Sequence, residues 1–285
     1  MGAIRSSGQN VTTGNPSLKP EHARTYTAGF VFSPSFVPGF QASVDWYKIK
    51  VVDSISTPGA GTLIDQCYAG DQVSCAAIIV NGNPVTTTKN ITGADFVVVT
   101  TKPTNTPSGV TQSGLDFATA YTHAAGRGKL GLRLNGIYLI RVETTTGCTQ
   151  GSTPLNVTNS VGAIGGCGTS PKITGRFAAS YDVDRFGVDL SQRYIDHGVK
   201  NPNYVTGIDI TDNHVPSASY TDLNLNYKIG SVFGGDTSAF LNVTNLFDRD
   251  PPNTATSARS WVVPTDTGLY DVQGRRYTLG VRLKL

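Results

Sequence analysis

Apolar and polar residues alternate with a period of two along much of this chain, and the alternation recurs from end to end. From residue 129 to 142 one side carries Leu130, Leu132, Leu134, Gly136, Tyr138, Ile140 and Val142, and the other carries Lys129, Arg133, Asn135 and Arg141. Leu223, Leu225, Tyr227 and Ile229 alternate in the same way with Asp222, Asn224, Asn226 and Lys228. Near the C-terminus Tyr277, Leu279, Val281, Leu283 and Leu285 face away from Arg276, Thr278, Gly280, Arg282 and Lys284. Each pattern predicts a β-strand with one apolar and one polar face. The set predicts nine strands, at about 24–33, 40–52, 109–122, 129–143, 172–182, 185–196, 218–229, 236–247 and 274–285. The apolar run Phe96-Val97-Val98-Val99-Thr100 breaks the parity as a separate crossing and is assigned to a loop or to an extension of the next strand.

A soluble sandwich buries its apolar faces against a second sheet. A membrane barrel turns them to lipid and the polar faces to its lumen. Three features favour the barrel. The strands run to about the 9–11 residues that cross a bilayer at a tilt. Aromatic residues such as Tyr26, Trp46, Tyr121, Tyr181, Phe186, Tyr194, Tyr227 and Tyr277 recur near strand ends, as an interfacial girdle requires. The connections alternate short (33–39, 124–128, 183–184, 230–235) and long (53–95, 144–170, 197–217, 248–273), as the two sides of an outer-membrane barrel do. Nine alternating strands leave the first and last pointing the same way, which gives an open wall rather than a closed barrel.

Composition narrows the picture further. Charged residues are 15% of the chain, glycine numbers 32 and methionine 1. That is a poor composition for a helical bundle. The net charge of +3, spread along the sequence, gives no nucleic-acid footprint. The four cysteines form two close pairs, Cys67 with Cys75 and Cys148 with Cys167, each inside a stretch that reads as loop. With no CxxC spacing and no nearby histidine, two local disulfides in an oxidising compartment are expected in preference to free thiols or zinc ligands. Residues 1–8 lack an export signal, so the chain reads as a piece of something longer.

Several segments resemble TonB-dependent outer-membrane receptors. Asn15-Pro16-Ser17-Leu18-Lys19-Pro20-Glu21 followed by Thr25-Tyr26-Thr27-Ala28-Gly29 is similar to the family's "NPxLKPE…TYxxG". Ser43-Val44-Asp45-Trp46-Tyr47-Lys48-Ile49, Ser113-Gly114-Leu115-Asp116 and Leu241-Asn242-Val243-Thr244-Asn245-Leu246-Phe247-Asp248 follow in the family's order. Residues 274–285 resemble its terminal strand. The resemblance implies an all-β fold: an antiparallel transmembrane β-barrel segment, about nine strands of a 22-stranded barrel. Residues 1–23 would be an external loop remnant and 24–285 the C-terminal barrel portion, with the plug domain absent. It also implies energised uptake of a scarce ligand (siderophore, haem, cobalamin or oligosaccharide) at the bacterial outer membrane. TonB, ExbB and ExbD would act only through the missing N-terminal part. The barrel-assembly machinery would read the terminal strand, whose last residue is Leu285 where the family commonly has an aromatic. A soluble β-sandwich binding module and an outer-membrane barrel enzyme are the alternatives.

Candidate residues follow from these assignments. Asp116, Arg133, Arg141, Asp189, Arg193, Asp222, Arg276 and Arg282 fall on the polar faces and are candidates for the lumen wall, as a ligand path or a plug contact. His197 and His214, near an external loop, are weighed for a haem or metal role. No catalytic, metal or cofactor set is assigned, and no cofactor is expected. The loops at 53–95 and 144–170 are the expected ligand-recognition surface, the first with its cysteine clip around Tyr68 and Asp71.

Overall fold

The computed structural model describes residues 7–106, 109–144, 158–165, 168–232, 235–255 and 264–284. Nine long strands form one antiparallel meander: β1 (His22–Phe32), β2 (Phe40–Val52), β3 (Val110–Ala125), β4 (Gly128–Thr144), β5 (Ile173–Val183), β6 (Phe186–Ile195), β7 (Ala218–Val232), β8 (Gly235–Thr244) and β9 (Arg276–Lys284). They lie in sequence order across the sheet, with Thr158–Asn159 added against the end of β4. Each expected strand is present to within a few residues. β1 and β9 are the two edges and run in the same direction, so they cannot pair antiparallel with each other; the meander is part of a barrel wall.

The register explains the alternation. Antiparallel partners share a face, so one rung of the sheet runs Tyr181, Val188, Leu225, Leu241, Leu279 and the next polar rung runs Ser180, Asp189, Asn224, Asn242, Thr278. Among the described residues no leucine of the nine strands is buried, and Leu225 and Leu279 are 39% and 80% exposed. Left in water, each such side chain forgoes about 1.5–3 kcal/mol; against hydrocarbon it forgoes nothing. A sandwich is excluded by this exposure.

Glycines pin the register at a few rungs by admitting aromatic rings from the neighbouring strand. A Cβ on Gly136 would lie 2.5 Å from Phe117 Cζ and 2.7 Å from the Thr174 carbonyl oxygen, and one on Gly280 would lie 2.4 Å from the Phe240 ring. This is ring-over-glycine packing of the kind that fixes barrel register. Gly136→Val is expected to cost about 1–3 kcal/mol by overpacking, read as a lower urea midpoint. Adding Phe117→Leu should recover part of the loss.

The chain divides into two compact units. The strand-forming unit contains residues 26–48, 112–142 and 160–285. Its loops and the ends of β6 and β7 share a small core of Ile164, Ile195, Val215, Ala218, Tyr220 and Tyr270. The other unit contains residues 1–25, 49–111 and 143–159. There the run Phe96–Thr101 lies outside the nine-stranded meander, but it is a β-strand of its own and not loop or an extension of the next strand. It forms a separate four-stranded sheet with Ser7–Thr12, Ile78–Val80 and Asn83–Pro84, pairing in parallel with Ser7–Thr12. The cysteine-bearing segment, which the sequence gives as plain loop, contains two helices: α1 (Ala60–Tyr68) and α2 (Gln72–Cys75).

Candidate functional site

Two surfaces carry the expected chemistry, the polar face of the meander and the helical loop. On the polar face, Arg133 shares a rung with Ala178, Ser191 and Asp222. Three strand spacings separate Arg133 from Asp222, about 14 Å, so the two do not pair. Arg193 lies between Arg176 and Tyr220, its guanidinium 5.0 Å from the Tyr220 ring centre, and Nη1 donates to the Leu269 carbonyl at 2.8 Å. Asp189 sits opposite Ser180 and Asn224. Arg276 is opposite Thr244, and Arg282 is opposite Ser238 with its guanidinium 5.9 Å from the Phe240 ring. Asp116 adjoins Phe117, which packs on Gly136 of the apolar rungs, so alternation puts Asp116 on the polar side. Arg141 continues the alternation of Arg133 along β4. The sheet therefore gathers the eight candidates on one face as a spaced ladder of charges, not as a cluster.

Asp222 has a second task that the sequence reading missed. Its Oδ1 accepts from the backbone N–H of Asn245 at 2.9 Å. Asn245 is fully buried, with φ +51°, and clasps Arg249: Oδ1 accepts its N–H at 2.8 Å and Nδ2 donates to its carbonyl at 3.1 Å. Asp248 Oδ1 then accepts the N–H of Arg275 at 2.8 Å, ahead of β9. The Asn245-Leu246-Phe247-Asp248 motif thus ties down both ends of the 245–275 connection. Its quoted residues were visible in the sequence; their role in the turn was not.

His197 and His214 stack with ring centres 6.3 Å apart, and His197 Nδ1 lies 2.8 Å from Asp196 Oδ1, which also accepts from the Tyr194 hydroxyl at 3.1 Å. Among the described residues no group of three or more His, Cys, Asp or Glu could hold a metal ion. The nearby loop tyrosine Tyr270 is pushed up to about 12 by burial, with Tyr220 and Asp266 adding to the rise.

In the helical loop, Cys67 and Cys75 form a disulfide, as expected, which joins the end of α1 to α2. Cys148 and Cys167 lie outside the described residues. Both sulfurs of the first pair are buried with Leu63, Ile78, Val97 and Val99, so the loop has a core of its own. Asp71 caps α2, accepting from the N–H of Ser74 at 3.1 Å and of Val73 at 3.3 Å, while the Ser74 hydroxyl lies 2.5 Å from its Oδ2. That hydroxyl, followed by the two amides, holds the Asp71 carboxyl below its ordinary range against the opposing effect of burial. A lowered carboxyl stabilises the loop above its unfolded pKa, and the contribution is lost as pH falls through the folded one. Tyr68 stays on the surface with Lys89 Nζ 5.6 Å from its ring centre. Closing a loop of this size stabilises by about 2–3 kcal/mol. Cys75→Ser is therefore expected to open residues 60–95 to limited proteolysis while leaving the nine-stranded wall resistant, checked by mass mapping of the fragments.

Comparison with known proteins agrees with this geometry. A family model described as "TonB dependent receptor-like, beta-barrel" matches residues 2–246. A search of curated proteins found no match. Among solved structures, the siderophore receptor PirA from Acinetobacter baumannii matches at 18% identity and a TM-score of 0.56, over 96% of this chain and 33% of its own. A variant of the ferric enterobactin receptor PfeA from Pseudomonas aeruginosa, in complex with enterobactin, matches at 14% identity and TM-score 0.61, over 98% and 34%. The FrpB iron transporter from Neisseria meningitidis matches at 15% and 0.54, over 99% and 34%. The chain spans about a third of the length of each of these structures.

Proposed function

This chain belongs to the TonB-dependent receptor β-barrel family of the outer membrane, and from that premise we propose that it forms the C-terminal part of the wall of a receptor importing a chelated metal, a ferric siderophore first of all. Residues 24–285 would be wall and its connections, and residues 1–23 part of an external loop. The plug and the contact with the TonB, ExbB and ExbD system would lie in residues outside this chain. The observation that carries the reading is the two-faced meander: leucine rungs bare on one side, and on the other spaced charges able to hydrogen-bond a polar cargo or a plug. The metal-chelate reading draws support from the similar structures, which are a siderophore receptor, a ferric enterobactin receptor and an iron transporter. The ligand would be recognised by the loops, with the disulfide-clipped module at residues 60–95 as the first contact surface.

The test is uptake. Cells whose sole receptor is the complete receptor of which this chain forms part of the wall should accumulate radioactive iron from a ferric siderophore, and the accumulation should vanish when TonB is removed. Uptake of haem, cobalamin or an oligosaccharide with no iron-siderophore uptake would reassign the cargo. Uptake indifferent to TonB would overturn the reading as a whole.

A further inference from the structure

We propose that residues 264–273 form a strap across the polar face of β6 and β7 that lifts away while the wall stays folded, baring Arg193 and Tyr220 to the lumen. Both ends of the strap are fixed. The Thr254 N–H donates to the Pro264 carbonyl at 2.8 Å, and Asp248 Oδ1 accepts the Arg275 N–H at the same distance. Between those ends two polar contacts tie it down. Arg193 Nη1 donates to the Leu269 carbonyl at 2.8 Å, and the Thr169 hydroxyl donates to Asp266 Oδ2. The Tyr270 ring fills out the hold, packed with Ile164, Ile195, Val215 and Tyr220.

The seat of the strap is mismatched in polarity. Among the described residues, the side-chain atoms buried without a hydrogen-bond partner are Tyr220 Oη, Thr265 Oγ1, Tyr270 Oη and Asp271 Oδ2. Three of these stand on the strap and the fourth on the wall that it covers. Native structures leave few such atoms, because each forfeits its hydration and receives nothing back. Closing the strap gains the burial of the Tyr270 ring and the bond from Arg193, and it loses the hydration of these groups. Closed and open states therefore lie close in free energy. The strands beneath have no such balance, since opening them breaks a whole ladder of backbone hydrogen bonds. Opening confined to the strap follows from that difference.

This inference rests on the polar face being the lumen wall, and hydrogen exchange read by mass spectrometry separates the two. The reporters are the Leu269 and Tyr270 amides, which donate to the Asp266 carbonyl in a turn too short to persist without its seat. In the complete receptor, held in mild detergent, they should exchange faster than the paired amides of β6 and β7. Tyr270→Phe and Thr265→Val each remove one orphaned oxygen at nearly constant shape, so each should slow the strap about tenfold and leave the wall unchanged. Arg193→Met keeps the side-chain stem without its donors and should speed the strap about tenfold. Strap exchange that is unchanged or faster in Tyr270→Phe and Thr265→Val overturns the proposal, because those oxygens then have partners in the closed state. So does a single rate shared by strap and wall in every variant. Uptake indifferent to TonB would instead take away the lumen and leave the exchange contrast standing.

Discussion

Leu225→Arg is expected to cost the wall about 2–4 kcal/mol, the penalty for a cation on the lipid face near the bilayer midplane. Leu225 stands between Val188 and Leu241 on the apolar face, and it is 39% exposed. In hydrocarbon the guanidinium finds no acceptor and must snorkel past neighbouring side chains to reach a headgroup. The adjacent Asn224→Arg moves the same charge one residue, to the rung of Asp189 and Asn242, and should stay within ~0.5 kcal/mol, as surface substitutions do. The contrast is read by the fraction of protein that keeps its compact mobility on unheated detergent gels and by the urea midpoint in lipid vesicles. Were the apolar face wetted by water instead, Leu225→Arg would be harmless, because an exposed leucine exchanged for arginine loses no burial. Equal behaviour of the two variants would therefore remove the membrane from the account.

The same period of two that makes this test possible is why the wall was legible in the sequence. In a half-solvated or lipid-exposed strand each side chain reports its own face, and a one-residue slip reverses all of them. Leu223 to Ile229 and Tyr277 to Leu283 therefore gave strand, face and neighbour spacing without any tertiary information. The polar candidates followed from parity as well. What parity cannot give is distance along a rung: Arg133 and Asp222 share one, yet two other strands lie between them.

The helical loop was opaque for a different reason. α1 is nine residues long and α2 four, too short for a 3.6-residue period to rise above Gly, Thr and Asn neighbours. They hold because Leu63, Cys67 and Cys75 are buried against Ile78, Val97 and Val99, which come from later in the chain. The parallel pairing of Ser7–Thr12 with Phe96–Thr101 joins segments some ninety residues apart, a contact that no local pattern announces. The cysteine spacing alone pointed to the closure, and it was right for Cys67 and Cys75.

Asn245 shows how a residue can be conspicuous in sequence and still have its task hidden, and Asn245→Ala should expose that task. The side chain is fully buried and makes both of its hydrogen bonds to the backbone of Arg249. Truncation leaves that N–H and C=O without their partners, at about 1–3 kcal/mol. Alanine must also hold φ near +51°, which adds roughly 1–2 kcal/mol. Asn245→Gly loses the same hydrogen bonds without the second cost, so the difference between the two variants isolates the backbone contribution. Both should lower the urea midpoint, with Ala below Gly, and both should speed hydrogen exchange at the Arg249 amide. The Arg275 amide, held separately by Asp248, should respond less. If Ala and Gly are equally mild, the buried asparagine is not the clasp of the 245–275 connection. Its two hydrogen bonds would then be replaced by water in the opened turn. An intermediate result is also informative: a large loss for Ala with little for Gly would assign the work of this motif to the left-handed backbone at residue 245, and the side chain to the lesser part.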